Sequence, residues 1–317
     1  MGRLTPRPLA TLLACLFCWP AAGAPDAFLE KTGALAASYP EGPIAIAGRL
    51  YVAEMTADRV VEASATDRRA FWHEDGCGPT SLSPIEGGRV VVLCHIGGYL
   101  AVVSPAGITE ARVTSDEDGR PIRSPNDSMA DGRGGVYLSD SGPFGADAPA
   151  EGSVLHLSPD LRARRLVTGL HYANGVAVVD QGRRLLVSEH LAGRVLAFPI
   201  NADATLGPAG VLADRALLAG AAGPLAGTTG PDGIEPADDG SVLVCIYGAG
   251  VVVRLSPTGA LLGAAAVATR YVTNVSRWKS GYAITGAFSN RDYPYAGEIG
   301  FYELREDPAA AAPPAMP

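Results

Sequence analysis

Six short turns in this 317-residue chain place, at matching points, side chains able to hold a metal ion or move a proton. They are Pro40-Glu41, Pro79-Thr80, Pro125-Asn126, Ala173-Asn174, Pro231-Asp232 and Thr273-Asn274, and their second members follow one another at 39, 46, 48, 58 and 42 positions. Two carboxylates, three carboxamides and a hydroxyl form an all-oxygen set. Such a set suits a hard cation, Ca2+ first, which takes about six to eight oxygen ligands. Zn2+ or Cu2+ is expected to recruit imidazole or thiolate, although Mn2+, Mg2+ and Zn2+ stay open as alternatives. Asn, Asp and Pro pairs are ordinary turn formers taken singly; it is their recurrence, with both acids included, that marks a site. Two carboxylates held together without a cation repel each other and shift their titration, a conflict that a bound divalent ion resolves. No G-x-S-x-G and no phosphate-binding loop occurs, so serine-hydrolase and nucleotide chemistry lack support.

The elements that must carry these residues repeat with them. Most of the dipeptides lead into a turn and a β-rich run: GRLYVAE (48–54), GRVVVLCH (88–95), GGVYLSD (134–140), RRLLVSE (183–189), GSVLVCI (240–246) and SGYAITG (280–286). A second run follows each, as in GYLAVVS or GVVVRLS. Short strands joined by Gly-containing turns, with no helical period between them, mean antiparallel sheet. A period of about 40 to 50 residues with four strands per unit predicts an all-β, six-bladed β-propeller of four-stranded antiparallel blades. A β-sandwich would make the recurrence a coincidence. Each propeller blade begins at its innermost strand, so the six turns form a ring round one mouth. His73, His95, His156, His171 and His190 show no i,i+4 or H-E-x-x-H spacing and read as surface or packing residues, except that His95 ends an inner strand toward the mouth. The longest interval holds an Ala/Gly/Leu-rich insertion around 203–230, read either as a plain insertion or as a lid.

Charge and cysteines bound the rest. A formal net charge of −8 offers no basic field for nucleic acid. Residues 1–24 have the order of a secretion signal: Arg3 and Arg7, an apolar run from Leu9 to Trp19, then Ala22-Gly23-Ala24. A lipoprotein reading at Cys15 leaves too short an apolar run. The run is also about half of the ~20 residues that a membrane span needs, so no span is expected and the product is periplasmic or secreted. After the signal three cysteines remain, Cys77, Cys94 and Cys245. An odd number rules out a full disulfide framework. Cys77 precedes one inner strand and Cys94 ends its antiparallel neighbour, so this pair is the candidate bridge, with two buried thiols as the alternative. Cys245 reads as core, the propeller as 25–306, and the Ala/Pro-rich 307–317 as a disordered tail.

Four ordered motifs give the chain a resemblance: Glu41-Gly42-Pro43; Ser124-Pro125-Asn126-Asp127 with Val136-Tyr137-Leu138-Ser139-Asp140; Ala173-Asn174-Gly175 with Arg194-Val195; and Gly230-Pro231-Asp232-Gly233. Over about 41–304 the chain resembles the SMP-30/gluconolactonase family of calcium-dependent propeller lactonases, which includes regucalcin. The resemblance implies a metal held by Glu41, Asn174 and Asp232, with Asn126 a further or water-mediated ligand. It also implies that Asp232 is the general base and that Asn126 orients substrate or steadies the oxyanion. Thr80, Ser124, Asn274 and His95 are the candidate substrate contacts.

Two departures bear on substrate. Sugar-lactone members often carry an arginine where Ser124 stands, and often an aromatic where Ile44-Ala45-Ile46 runs. Both changes favour a smaller or more apolar lactone, or another ester, over a polyhydroxylated sugar. The expectation is an exported hydrolase that opens a lactone or related ester at a Ca2+ site. A phosphotriesterase of the same design and a non-catalytic, metal-stiffened binding propeller are the alternatives.

Overall fold

The structure is a computed structural model in which residues 28–305 are described. The signal at 1–24 and the tail at 307–317 lie outside the described residues. Six four-stranded antiparallel sheets make up the described residues, each read from the axis outward in sequence order except the last. Their innermost strands are Pro40–Ile46, Pro79–Pro84, Pro125–Ala130, Ala173–Val179, Gly230–Pro236 and Tyr271–Trp278. This is a six-bladed β-propeller.

The last blade is completed from the other end of the chain. Its outermost strand is Leu29–Ser38, which pairs antiparallel with Ala296–Leu304 from Leu29↔Leu304 to Ser38↔Ala296. This strand lies before the first repeat, and the repeat pattern leaves it unassigned. Pairing the two ends of the chain within one blade closes the ring of blades.

The second strands of the blades are buried on both faces, as all of Val90–Cys94 and Val242–Tyr247 are. They therefore read as continuous apolar runs rather than alternating ones. The core is divided into interblade layers. One packs Val91, Leu93, Leu100 and Val102 of blade two against Val136, Leu138, Leu155 and Leu157 of blade three. Because apolar burial sits between blades, the axis is free to be polar. Cys77 and Cys94 form a disulfide inside the layer that joins blades one and two, and Cys245 is free and buried.

The insertion does not roof the mouth. It contains the helix Arg215–Ala222, capped by the Asp214 carboxylate, which accepts from the Leu217 amide at 2.9 Å. Leu218 and Leu225 bury into the apolar layer of blades four and five. Among the described residues, no helix is long and apolar enough to cross a membrane.

Candidate functional site

Every innermost strand loses register just after it starts, at Glu41/Ile44, Pro79/Ser81, Pro125/Ser128, Ala173/Val176, Pro231/Ile234 and Val272/Asn274. Bulges re-aim side chains, and here they act at the same level of all six blades. Glu41, Thr80, Asn126, Asn174 and Asp232 consequently line one cavity of about 270 Å³ at the mouth. All five are buried.

Glycines beneath the ring let the blades approach this closely. A Cβ on Gly175 would lie 2.1 Å from the Asp232 carbonyl oxygen, and one on Gly42 would lie 2.4 Å from that of Thr80. The Glu41-Gly42, Asn174-Gly175 and Asp232-Gly233 pairs thus join a polar group to the close packing it needs.

Asn274 does not belong to this level. In blade six the irregularity falls at Thr273, whose hydroxyl donates to the Pro40 carbonyl at 2.8 Å. Asn274 is one step further along and lines the axis below, with Ser81 and Asp127. Matching it by residue type placed it one register too high. Ser124 is also elsewhere. Its amide donates to Asp140 Oδ1 at 2.7 Å, and it lines a separate surface cavity with Arg120, Arg123 and Arg165. Asp140 ties the segment before Pro125 outward, away from the mouth.

Thr80 and His95 do reach the mouth, and both turn to the Pro125 carbonyl. The Thr80 hydroxyl donates to it at 3.2 Å, and His95 Nδ1 lies 3.2 Å from the same oxygen. A carbonyl only accepts, so Nδ1 carries the proton and Nε2 is the free nitrogen.

The sequence reading missed the aromatic wall and one histidine. Tyr39, Phe144, Tyr172, His190, Tyr247 and Tyr295 all line the cavity. Phe144, from the 141–151 connection, is half exposed, with its ring centroid 4.8 Å from Tyr172 and 5.7 Å from His190. His190 follows the second strand of blade four as His95 follows that of blade two. The repeat position that drew attention to His95 therefore applied to His190 as well. The wall gave no comparable signal, because Phe144 and Tyr295 come from connections outside the repeat.

Electrostatics set the ring carboxylates apart. Burial, and then the charges of Asp232 and Asp127, hold the Glu41 carboxyl well above the usual range. Burial, and then Asp127, does the same to Asp232, partly offset by the Asn174 side chain. Burial draws His190 down to about 4, so the ring is neutral near pH 7. Among the described residues, no arginine or lysine lines the cavity.

Two buried acids without a cationic side chain, beside the carboxamides of Asn126 and Asn174, fit a divalent cation. Among the described residues, no group of three or more His, Cys, Asp or Glu side chains is placed to hold a metal. The donor set here is of another composition, in which carboxamide oxygens complete two carboxylates.

A family profile described as SMP-30/Gluconolactonase/LRE-like region matches residues 39–276. The chain belongs to that family. No curated protein sequence matches it. Among solved structures it is similar to a gluconolactonase from Xanthomonas campestris, at TM-score 0.67 and 20% identity over 85% of this chain and 87% of that one. It is also similar to a calcium-binding regucalcin from Agrobacterium tumefaciens, at TM-score 0.70 and 16% identity over 88% and 97%. A luciferin-regenerating enzyme matches at TM-score 0.67 and 16% identity over 86% and 95%. At these identities the likeness concerns the fold.

Proposed function

We propose that this chain is a metal-dependent hydrolase that opens a lactone or related ester at the mouth of its propeller. The observation that carries the reading is the sharing of one small cavity by buried Glu41 and Asp232 with Asn126 and Asn174, without a lysine or arginine to neutralise them. Glu41, Asn174 and Asp232 would hold the cation, with Asn126 as a further ligand or one acting through water. Oxygen donors favour Ca2+, in keeping with the family and with the calcium-binding regucalcin among its structural neighbours. Once bound, the ion supplies Lewis-acid polarisation of the ester carbonyl.

The protein's own groups perform the other steps. Asp232, desolvated and poorly supplied with hydrogen-bond donors, accepts the proton of the attacking water. The Asn126 carboxamide donates to the oxygen on which charge develops. Phe144, Tyr172 and Tyr247, their rings tilted or edge-on to one another, form an aromatic wall against which a non-sugar ring can lie. The Cys77–Cys94 bridge and the N-terminal signal pattern support action in an oxidising compartment outside the cytoplasm.

The test is turnover of a panel of lactones, aryl esters and organophosphates by purified protein, with calcium and with chelator. Calcium-dependent lactone or ester opening that Asp232→Asn abolishes supports the reading. Cation binding with no turnover of any substrate would favour a binding propeller.

A further inference from the structure

Ester opening as described leaves one reacting atom without a partner, the leaving oxygen, which takes up charge as its bond to the carbonyl carbon breaks. Tyr39 and Tyr247 both line the mouth cavity, each close to a ring acid in chain or sheet. Tyr39 stands two residues before Glu41, and Tyr247 pairs with Gly230, two residues before Asp232. Their hydroxyl oxygens are 3.3 Å apart, and Asn290 Nδ2 is 3.4 Å from that of Tyr247. A carboxamide nitrogen only donates, so the Tyr247 oxygen accepts there. The two hydroxyl protons share one mutual bond, and among the described residues neither hydroxyl has another acceptor. One proton is therefore left over. In head-to-tail order, from Asn290 to Tyr247 to Tyr39, each hydrogen bond strengthens the next, and the spare proton is that of Tyr39.

The backbone holds Tyr39 there at a cost. Its φ is 44°, in the left-handed region that bulky residues rarely enter. Its amide donates to the Tyr295 carbonyl at 3.0 Å, and the two rings meet edge to face at 5.5 Å. Strain of this kind persists where the surroundings impose it and gathers at functional sites.

We infer that Tyr39, backed by Tyr247 and Asn290, donates a hydrogen bond to the leaving oxygen as the lactone or ester opens, so that the site can expel a strongly basic alkoxide. The inference rests on the hydrolase reading above. The C–O bond breaks with its electron pair on that oxygen, and the proton that Asp232 took from the attacking water ends there. Water is thereby added across the bond, and the phenol keeps its own proton. The hydrogen bond strengthens as charge develops, so it acts on kcat. An alkoxide needs this help; a phenolate, whose charge spreads into its ring, needs little.

The experiment compares an aliphatic lactone, which releases an alkoxide, with an aryl lactone, which releases a phenolate, using the full chain with calcium. Tyr39→Phe keeps the ring and should lower kcat on the aliphatic lactone about a hundredfold, the lower end of the loss for an oxyanion donor, and on the aryl lactone by less than about threefold. Tyr247→Phe, which removes only the backing, should lower turnover of the aliphatic lactone about fivefold, the worth of one neutral hydrogen bond. The ratio of the two turnovers cancels the amount of folded protein, so a poorly folding variant still gives an answer. A ratio that neither substitution changes overturns the inference and leaves the hydrolase standing. Wild-type protein that opens neither lactone nor any other ester overturns both.

Discussion

Two levels of the axis carry buried carboxylates under different conditions. At the mouth, Glu41 and Asp232 face a cavity with each other and few donors. One level down, Asp127 is 5% exposed, yet it accepts from the Ser81 hydroxyl at 3.1 Å and the Val176 amide at 3.0 Å. Those partners belong to blades two and four, so Asp127 of blade three ties three blades together. Burial raises its titration to about 6 against these hydrogen bonds. Burial alone therefore does not mark a functional acid. The distinguishing feature is whether the protein supplies the carboxylate's partners or leaves them to a ligand.

Exchanging the two acids should have opposite consequences. Asp232→Asn should lower kcat by roughly a thousandfold, near the middle of the range for loss of a general base, with folding intact. Asp127→Ala leaves the buried Val176 amide without an acceptor. It should cost about 2–3 kcal/mol in urea unfolding, with turnover per folded molecule within a few-fold of wild type. If both variants lose activity without losing stability, the division between the levels is wrong.

The glycines between the levels offer a second contrast. Gly175→Ala forces a Cβ against the Asp232 carbonyl oxygen, whereas Gly220, in the exposed helix, has nothing within 4 Å. The first should destabilise by about 1–3 kcal/mol and weaken cation binding; the second should stabilise by about 0.5–1 kcal/mol. Thermal melts with and without calcium read both effects.

The pH dependence should separate the levels as well. All three acids titrate higher in the folded protein than their ordinary values. The stability this confers is present at low pH and is lost as pH rises. For Asp127 the loss runs from about 3.8 to about 6, and for the mouth pair it runs in the same direction. With chelator, the mouth pair should lower the melting temperature as pH rises through their ionisation; with saturating calcium, that share of the fall should largely disappear. Because His190, held down at about 4, works in the opposite sense up to about 6.5, the calcium-dependent part is decisive: a stabilisation by calcium that does not grow from pH 4 to 7 would contradict the assignment.

Phe144→Ala should produce the smallest effect. It removes a half-exposed ring from the apolar wall. A tenfold rise in KM for a flat apolar lactone, with kcat nearly unchanged, corresponds to about 1.4 kcal/mol of lost contact. An equal change for a polyhydroxylated lactone would count against the wall as a specificity surface.

The repeated turns made the blades legible, because each inner strand opens with the same polar step and bulge. Glu41, Thr80, Asn126, Asn174 and Asp232 followed from that periodicity alone. Leu29–Ser38 did not, since a strand that closes a ring pairs with residues almost a whole chain away. Asn274 was misplaced because residue type was matched where register decides, and Ser124 because the Asp140 side chain draws its backbone outward. His190 was set aside for lack of a metal-binding spacing. In a propeller, neighbours at the mouth come from different blades, and local spacing says little about them.

The most direct test of the central claim is anomalous scattering from crystals of the purified protein grown with Mn2+. The account predicts one strong peak at the mouth, within about 2.0–2.6 Å of oxygens from Glu41, Asn174 and Asp232, and its loss in Glu41→Gln. A mouth with no peak, or a peak bound by other side chains, would contradict it.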